Sequence, residues 1–189
     1  MKRLFVAIKV VPEQTLLKAL ESIQQKLSAD SINWVKPDNL HITLKFLGDT
    51  PEKKIPSIIG ALHKSTDTLY PSEFFVEGFG YFGNLRFPRV LWMGIMERDQ
   101  NNLEKVYAGV QKNLEPLGFP AEEHFFKPHL TIGRIKNISD TRILRELEGI
   151  FSTLPFQKVP VDSFSLYESK LTPSGPVYSL VEKFTFSKK

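Results

Sequence analysis

The chain has 189 residues, 41% of them hydrophobic and 24% charged, with no cysteine and a formal net charge of +4. Such a composition gives a globular protein long enough for one well-buried domain of two lobes, and it excludes a disordered chain, a disulfide scaffold and thiolate metal sites. No apolar run approaches the ~18 residues of a membrane span, so a cytoplasmic, non-membrane protein is expected. The small positive charge fits either plain solubility or an anionic ligand such as a nucleotide or RNA.

Residues 3–10 read as a first strand rather than a signal peptide, because Lys9 cuts the apolar run and Pro12 stops it. Pro12 opens a helix to about Leu27, with Leu16, Leu20, Ile23 and Leu27 at helical spacing. Trp34-Val35 leads through Pro37-Asp38-Asn39 into a strand that begins near His41 and ends at Gly48. A helix over 52–64 follows, then strands over 73–79 and 89–96 joined by a Gly/Pro-rich turn. Asp99 is the expected N-cap of a helix running to Leu114. A strand over 128–135, a short helix over 140–149 and two closing strands over 156–168 and 176–186 complete the chain. Mixed elements without a low-complexity linker predict an α+β fold with antiparallel or mixed sheets. The order strand, helix, histidine strand, helix recurs once, which suggests a pair of related lobes.

Two segments 88 positions apart carry the chemistry: His41-Ile42-Thr43-Leu44 and His129-Leu130-Thr131-Ile132. Side chains alternate along a strand, so each histidine shares a face with the threonine two residues on, while Leu40, Ile42, Leu44, Leu130 and Ile132 face a core. Ten threonines occur in the chain, so two His-x-Thr pairs among four histidines arise by chance with a probability of roughly 0.02. With the two strands near the middle of their sheets, both polar faces line one central cleft. Histidine exchanges protons near neutral pH, and two of them in matching settings make an acid and a base. In-line cleavage of a phosphodiester needs that pair, with Thr43 and Thr131 as hydroxyl donors to the charge gathering on the phosphoryl oxygens.

Competing motifs fit less well. Gly78-Phe-Gly-Tyr-Phe-Gly83 matches the dinucleotide pattern G-x-G-x-x-G, yet a strand follows it where a helix N-terminus is required, so it reads as a bent hairpin connection. There is no phosphate loop of the G-x-x-x-x-G-K-[ST] type and no G-x-S-x-G elbow. His124 and His129, five apart, have no metal-ligand spacing, so neither a metal nor a cofactor is expected. His63 reads as a surface residue and His124 as a loop residue.

The paired H-x-T-x motifs resemble those of the two-histidine (2H) phosphoesterase superfamily. With Leu4-Phe-Val-Ala-Ile8, Asn39-Leu-His-Ile-Thr-Leu-Lys-Phe-Leu-Gly48, Arg89-Val-Leu-Trp92, Pro128-His-Leu-Thr-Ile132 and Leu166-Tyr-Glu-Ser-Lys170, nearly the whole chain is similar to the RNA 2′,3′-cyclic phosphodiesterases, also called 2′-5′ RNA ligases. The resemblance implies a single domain over 1–189, with two pseudo-symmetric lobes of antiparallel sheet, outer helices and a central groove. It implies metal-free hydrolysis of RNA 2′,3′-cyclic phosphate ends to 2′-phosphomonoesters, with 2′-5′ ligation as the reverse reaction. By that analogy His41 protonates the departing 3′ oxygen and His129 activates water, while the nearly symmetric motifs themselves leave the order open. Thr43 and Thr131 would hold the phosphate, Arg134 would contact it, and Phe46 would stack on a base. Phe46 and Arg134 lie five residues after their histidines, an odd spacing that puts them on the wrong face unless a bulge or strand end intervenes. A monomer acting on RNA ends or nucleotides is the expected state. The alternatives are a non-catalytic RNA-binding module and a 2H enzyme for 2′-5′ oligonucleotides or small cyclic nucleotides.

Overall fold

The computed structural model describes residues 1–98, 102–123, 125–152, 155–173 and 175–187. Along them run β1 (Lys2–Lys9), α1 (Gln14–Lys26), β2 (Ser31–Trp34), β3 (His41–Thr50), α2 (Ile55–Lys64), β4 (Ser72–Asn84), β5 (Phe87–Met96), α3 (Asn102–Leu114), β6 (His129–Asn137), α4 (Arg142–Phe151), β7 (Pro155–Val161), β8 (Ser163–Thr172) and β9 (Gly175–Thr185). The strands form two antiparallel sheets, a four-stranded one in the order β3-β1-β8-β9 and a five-stranded one in the order β2-β6-β5-β4-β7. This is the expected α+β architecture with paired lobes.

The lobes are built by exchange. β1 pairs with β3 in a first repeat that runs from β1 to β4, and β5 pairs with β6 in a second that runs from β5 to β8. Each repeat then lends strands to the other's sheet, β4 lying beside β5 and β2 beside β6 in one, β8 beside β1 in the other. The helices cross over in the same way, since α1 packs on β7 and α3 on β3. Each helix buries one stripe, as α1 does with Leu16, Ala19, Leu20 and Ile23. One continuous apolar core runs through both sheets and includes Leu4, Val6, Ile42, Leu44, Leu91, Met93, Leu130 and Ile132. The inward faces of both histidine strands are anchored there, so truncating Leu130 to alanine would cost about 2–5 kcal/mol.

Three expectations need correction. The histidine strands are not both central, because β3 is the edge of its sheet while the short β2 covers the outer side of β6. β2 escapes sequence reading because its four residues, Ser-Ile-Asn-Trp, carry little pattern. The first closing strand is two strands, since the chain changes sheet at Asp162 between β7 and β8. The Gly78–Gly83 run is no connection but lies within β4, and the hairpin turns at Asn84, whose side chain accepts from the backbone N–H groups of Arg86 and Phe87. Gly80 serves close packing there, because a Cβ on it would come within 2.4 Å of the Trp92 ring. Asp99 lies outside the described residues, and the Glu97 carboxylate accepts from the backbone N–H groups of Asn102 and Leu103 at the start of α3. Among the described residues no helix is long and apolar enough to cross a membrane.

Candidate active site

β3 and β6 meet where the two sheets adjoin, with Cα atoms within 8 Å of each other. Their histidines begin the strands and are half-buried, as are Thr43 and Thr131. In both strands an extra residue is inserted directly after the threonine. Ala7 and Val6 of β1 pair with Thr43 and Lys45, leaving Leu44 over, while Trp92 and Leu91 of β5 pair with Thr131 and Gly133, leaving Ile132 over. Each bulge resets the alternation. Leu44 and Lys45 are therefore both buried with Phe46 exposed, and Ile132 and Gly133 are both buried with Arg134 exposed. Of the bulge or strand end that the odd spacing required, the strands have the bulge, and it places Phe46 and Arg134 on the faces of their histidines.

The two imidazoles are held alike. His41 Nδ1 lies 2.6 Å from the carbonyl oxygen of Asn39, and His129 Nδ1 lies 2.8 Å from that of Lys127. A carbonyl only accepts, so Nδ1 carries the proton in each and Nε2 keeps its lone pair. Local sequence fixes both carbonyls. The turn Pro37–Asn39 aims that of Asn39 and is tied to the start of β9 by Asn39 Nδ2 donating to the Pro176 carbonyl at 2.9 Å. Pro128 restricts Lys127 to an extended backbone.

Each histidine also meets an aromatic ring edge-on. Tyr178 of β9 stands at 87° to His41 with centroids 5.3 Å apart, and Phe82 of β4 stands at 87° to His129 at 4.7 Å. Phe5 lies 5.1 Å from His41 and 6.1 Å from Phe46, and it stacks on Tyr167 at 5.4 Å, so the first lobe presents an aromatic wall. On the second lobe the Lys127 ammonium lies 4.5 Å from the Trp92 ring centroid, a cation–π contact. Sequence reading did not single out Tyr178, Phe82 or Lys127 as site residues. Phe82 sits inside the glycine run set aside as a dinucleotide loop, and Tyr178 reaches the site only through the pairing of β9 with β8.

Electrostatics couple the cluster. Burial pushes His41 below the ordinary imidazole value of 6.5; its bond to Asn39 opposes this, and the charges of Lys9, Arg134 and His129 deepen it. His129 is likewise lowered by burial, against its bond to Lys127, with the charges of Lys127 and Arg134 adding to the depression. Arg134 thus acts on both histidines and is the positive charge shared by the site. Both depressions favour the neutral imidazole. Among the described residues no group of three or more histidines and carboxylates could hold a metal ion. His63 is exposed, edge-on to Phe184 at 4.9 Å, and His124 lies outside the described residues.

Two exchanged lobes, each offering a histidine and a threonine from a bulged strand, define a two-histidine phosphoesterase. The chain belongs to the LigT-like phosphoesterase family, whose model matches it twice, over residues 8–92 and 94–178. It is 36% identical over 187 residues to the RNA 2′,3′-cyclic phosphodiesterase of Thermotoga maritima, covering 97% of this chain and 95% of that one. It is 37% identical over 185 residues to the protein of the same name from Archaeoglobus fulgidus, covering 96% and 99%. Among solved structures, the Thermus thermophilus protein TT0787 superposes with a TM-score of 0.76 at 29% identity over 97% of both chains. Escherichia coli LigT complexed with 3′-AMP has the same fold, with a TM-score of 0.70 at 20% identity over 98% of both chains.

Proposed function

We propose that this protein hydrolyses RNA 2′,3′-cyclic phosphate ends to 2′-phosphomonoesters, using His41 and His129 as an acid–base pair without a metal. The observation that carries this reading is the matched pair of imidazoles, each with Nδ1–H engaged by a carbonyl two residues back. Relatives named for that reaction along nearly the whole chain supply the substrate class.

In the reaction, His129 Nε2 takes a proton from water as the water oxygen bonds to phosphorus. The bond from phosphorus to the 3′ oxygen breaks opposite, and that oxygen takes a proton from His41 Nε2. The product carries the phosphate on the 2′ oxygen, and the two histidines return to their starting state by passing one proton through solvent. Thr43, Thr131 and Arg134 are the donors for the phosphoryl oxygens. The bound phosphodiester's negative charge offsets that of Arg134 and restores the proton His41 needs. Phe46 stacks on the terminal base, an interaction tolerant of base identity. Both histidines come from one chain, so a monomer of one bilobal domain over 1–189 is sufficient, and we place it in the cytoplasm.

The reading is tested with a short RNA ending in a 2′,3′-cyclic phosphate, incubated in the presence of EDTA. A 2′-phosphate product is expected, lost in His41→Ala and His129→Ala. A 3′-phosphate product, or turnover that stops with EDTA and returns with a divalent cation, overturns the mechanism. Binding of the RNA without turnover would make the protein a binding module.

A further inference from the structure

The open edge of β3 has a feature that its counterpart lacks. Beside β6, the strand β2 fills the flank so closely that Gly133 has no room for a side chain, a Cβ there falling 2.9 Å from Ile32 and 3.0 Å from Trp34. On the side of β3 away from β1 no strand pairs among the described residues, and the flank holds a cavity of about 450 Å³ lined by Lys45, Phe46, Asp49, Lys54, Phe119 and Glu122 among others. Lys45 occupies the position equivalent to Gly133 and is only 3% exposed. Its ammonium donates to Gln111 Oε1 and to the Pro120 carbonyl, the latter at 2.8 Å, which leaves one of three N–H groups for the cavity. The carboxylates of Glu122, which lines the same cavity, and of Glu115 also act on this ammonium and oppose the cost of its burial.

The remaining lining is that of a nucleotide subsite. Phe46, 61% exposed, is shared between this cavity and the aromatic wall that reaches His41 through Phe5. Phe119 supplies a second ring, and the exposed Lys54 holds its ammonium 5.5 Å from that ring's centroid while donating to the Leu117 carbonyl at 3.1 Å. Aromatic rings beside a cation are what a single-stranded nucleotide engages, through base stacking and backbone charge. The Asp49 and Glu122 carboxylates would repel a free phosphate but accept from base amino groups.

We infer that this cavity holds the nucleotide on the 5′ side of the cyclic-phosphate nucleotide, so that the protein acts on polynucleotide ends in preference to cyclic mononucleotides; this rests on the function proposed above. Phe46 is then the divider between the terminal base and the one before it. The phosphate joining the two nucleotides passes Lys54.

The test compares kcat/KM on a 2′,3′-cyclic mononucleotide and on a dinucleotide ending in the same cyclic phosphate. The wild type should favour the dinucleotide about tenfold or more, the scale of one base–aromatic stack. Lys54→Glu and Phe119→Leu should each remove most of that preference while sparing the mononucleotide. Lys54 is exposed, so its substitution keeps the test valid if Phe119→Leu disturbs packing. Equal turnover of both substrates by the wild type, or a preference that survives Lys54→Glu, overturns the subsite and leaves the hydrolytic reading standing. Turnover of neither substrate by the wild type overturns both.

Discussion

The strands β3 and β6 are built to one plan and finished differently. Shared are the histidine whose Nδ1 meets the carbonyl two residues back, the threonine two residues on, and the bulge directly after it. The residues delivered beyond the bulge differ: Phe46 from the edge strand, Arg134 from the strand that β2 covers. One lobe thus contributes an aromatic surface and the other a positive charge. In the function proposed above, a duplicated scaffold supplies the symmetric part, one histidine from each strand as a proton-transfer group. Departures from symmetry then match a substrate that is a nucleoside on one side and a phosphate on the other.

The comparison yields predictions of decreasing size. Removing either imidazole, by His41→Ala or His129→Ala, should lower kcat/KM by about 10²–10⁴-fold with the circular dichroism spectrum unchanged. A large loss in one variant only would show that the lobes are not chemically equivalent. Thr131→Val and Thr43→Val each remove a donor to the developing charge, and kcat should fall by up to about 10²-fold with little change in KM. Arg134→Ala and Phe46→Ala should separate the lobes' contributions. The first should weaken turnover of every substrate and flatten its salt dependence, and the second should raise KM about tenfold with kcat nearly kept. Equal kinetic signatures for those two variants would break the division between charge and aromatic lobes.

Smaller effects follow from the lowered imidazoles. The profile of kcat/KM reports the free protein, and both histidines there sit below 6.5, so its optimum should fall below pH 6.5 and decline as the acid loses its proton. The kcat profile should extend further to the alkaline side, because the bound phosphodiester raises the acid. In Arg134→Gln the kcat/KM profile should move to higher pH, since one cause of the depression is gone. Stability should change in the matching direction. Above pH 6.5 both histidines are neutral folded and unfolded; as pH falls through 6.5 the unfolded chain binds protons that the folded one resists, and stability declines. A urea series at pH 7.5 and 5.5 checks this, with a higher midpoint expected at pH 7.5 and a smaller difference in the two histidine variants.

Much of this was legible in the sequence because its signals are local. The period-two pattern of Leu40, Ile42 and Leu44 placed His41 and Thr43 on one face, and the odd spacing of Phe46 and Arg134 called for the bulges that the sheets contain. The reciprocal loan of β4 and β8 was not legible, since nothing local says which sheet a strand joins. For the same reason the edge position of β3, the covering strand β2 and the change of sheet at Asp162 emerged only from pairing. Tyr178 and Phe82 reach the site through tertiary contacts with no motif to mark them, and nothing in the local sequence places the Lys127 ammonium over Trp92.

The central claim is that two strands from two halves of the chain form one catalytic unit. Its most direct test is kcat/KM on an RNA 2′,3′-cyclic phosphate end for His41→Ala, His129→Ala and the double variant. The account predicts that each single variant loses nearly as much as the double, because neither group completes the transfer alone. Full turnover in either single variant, or losses that simply multiply in the double, would contradict it.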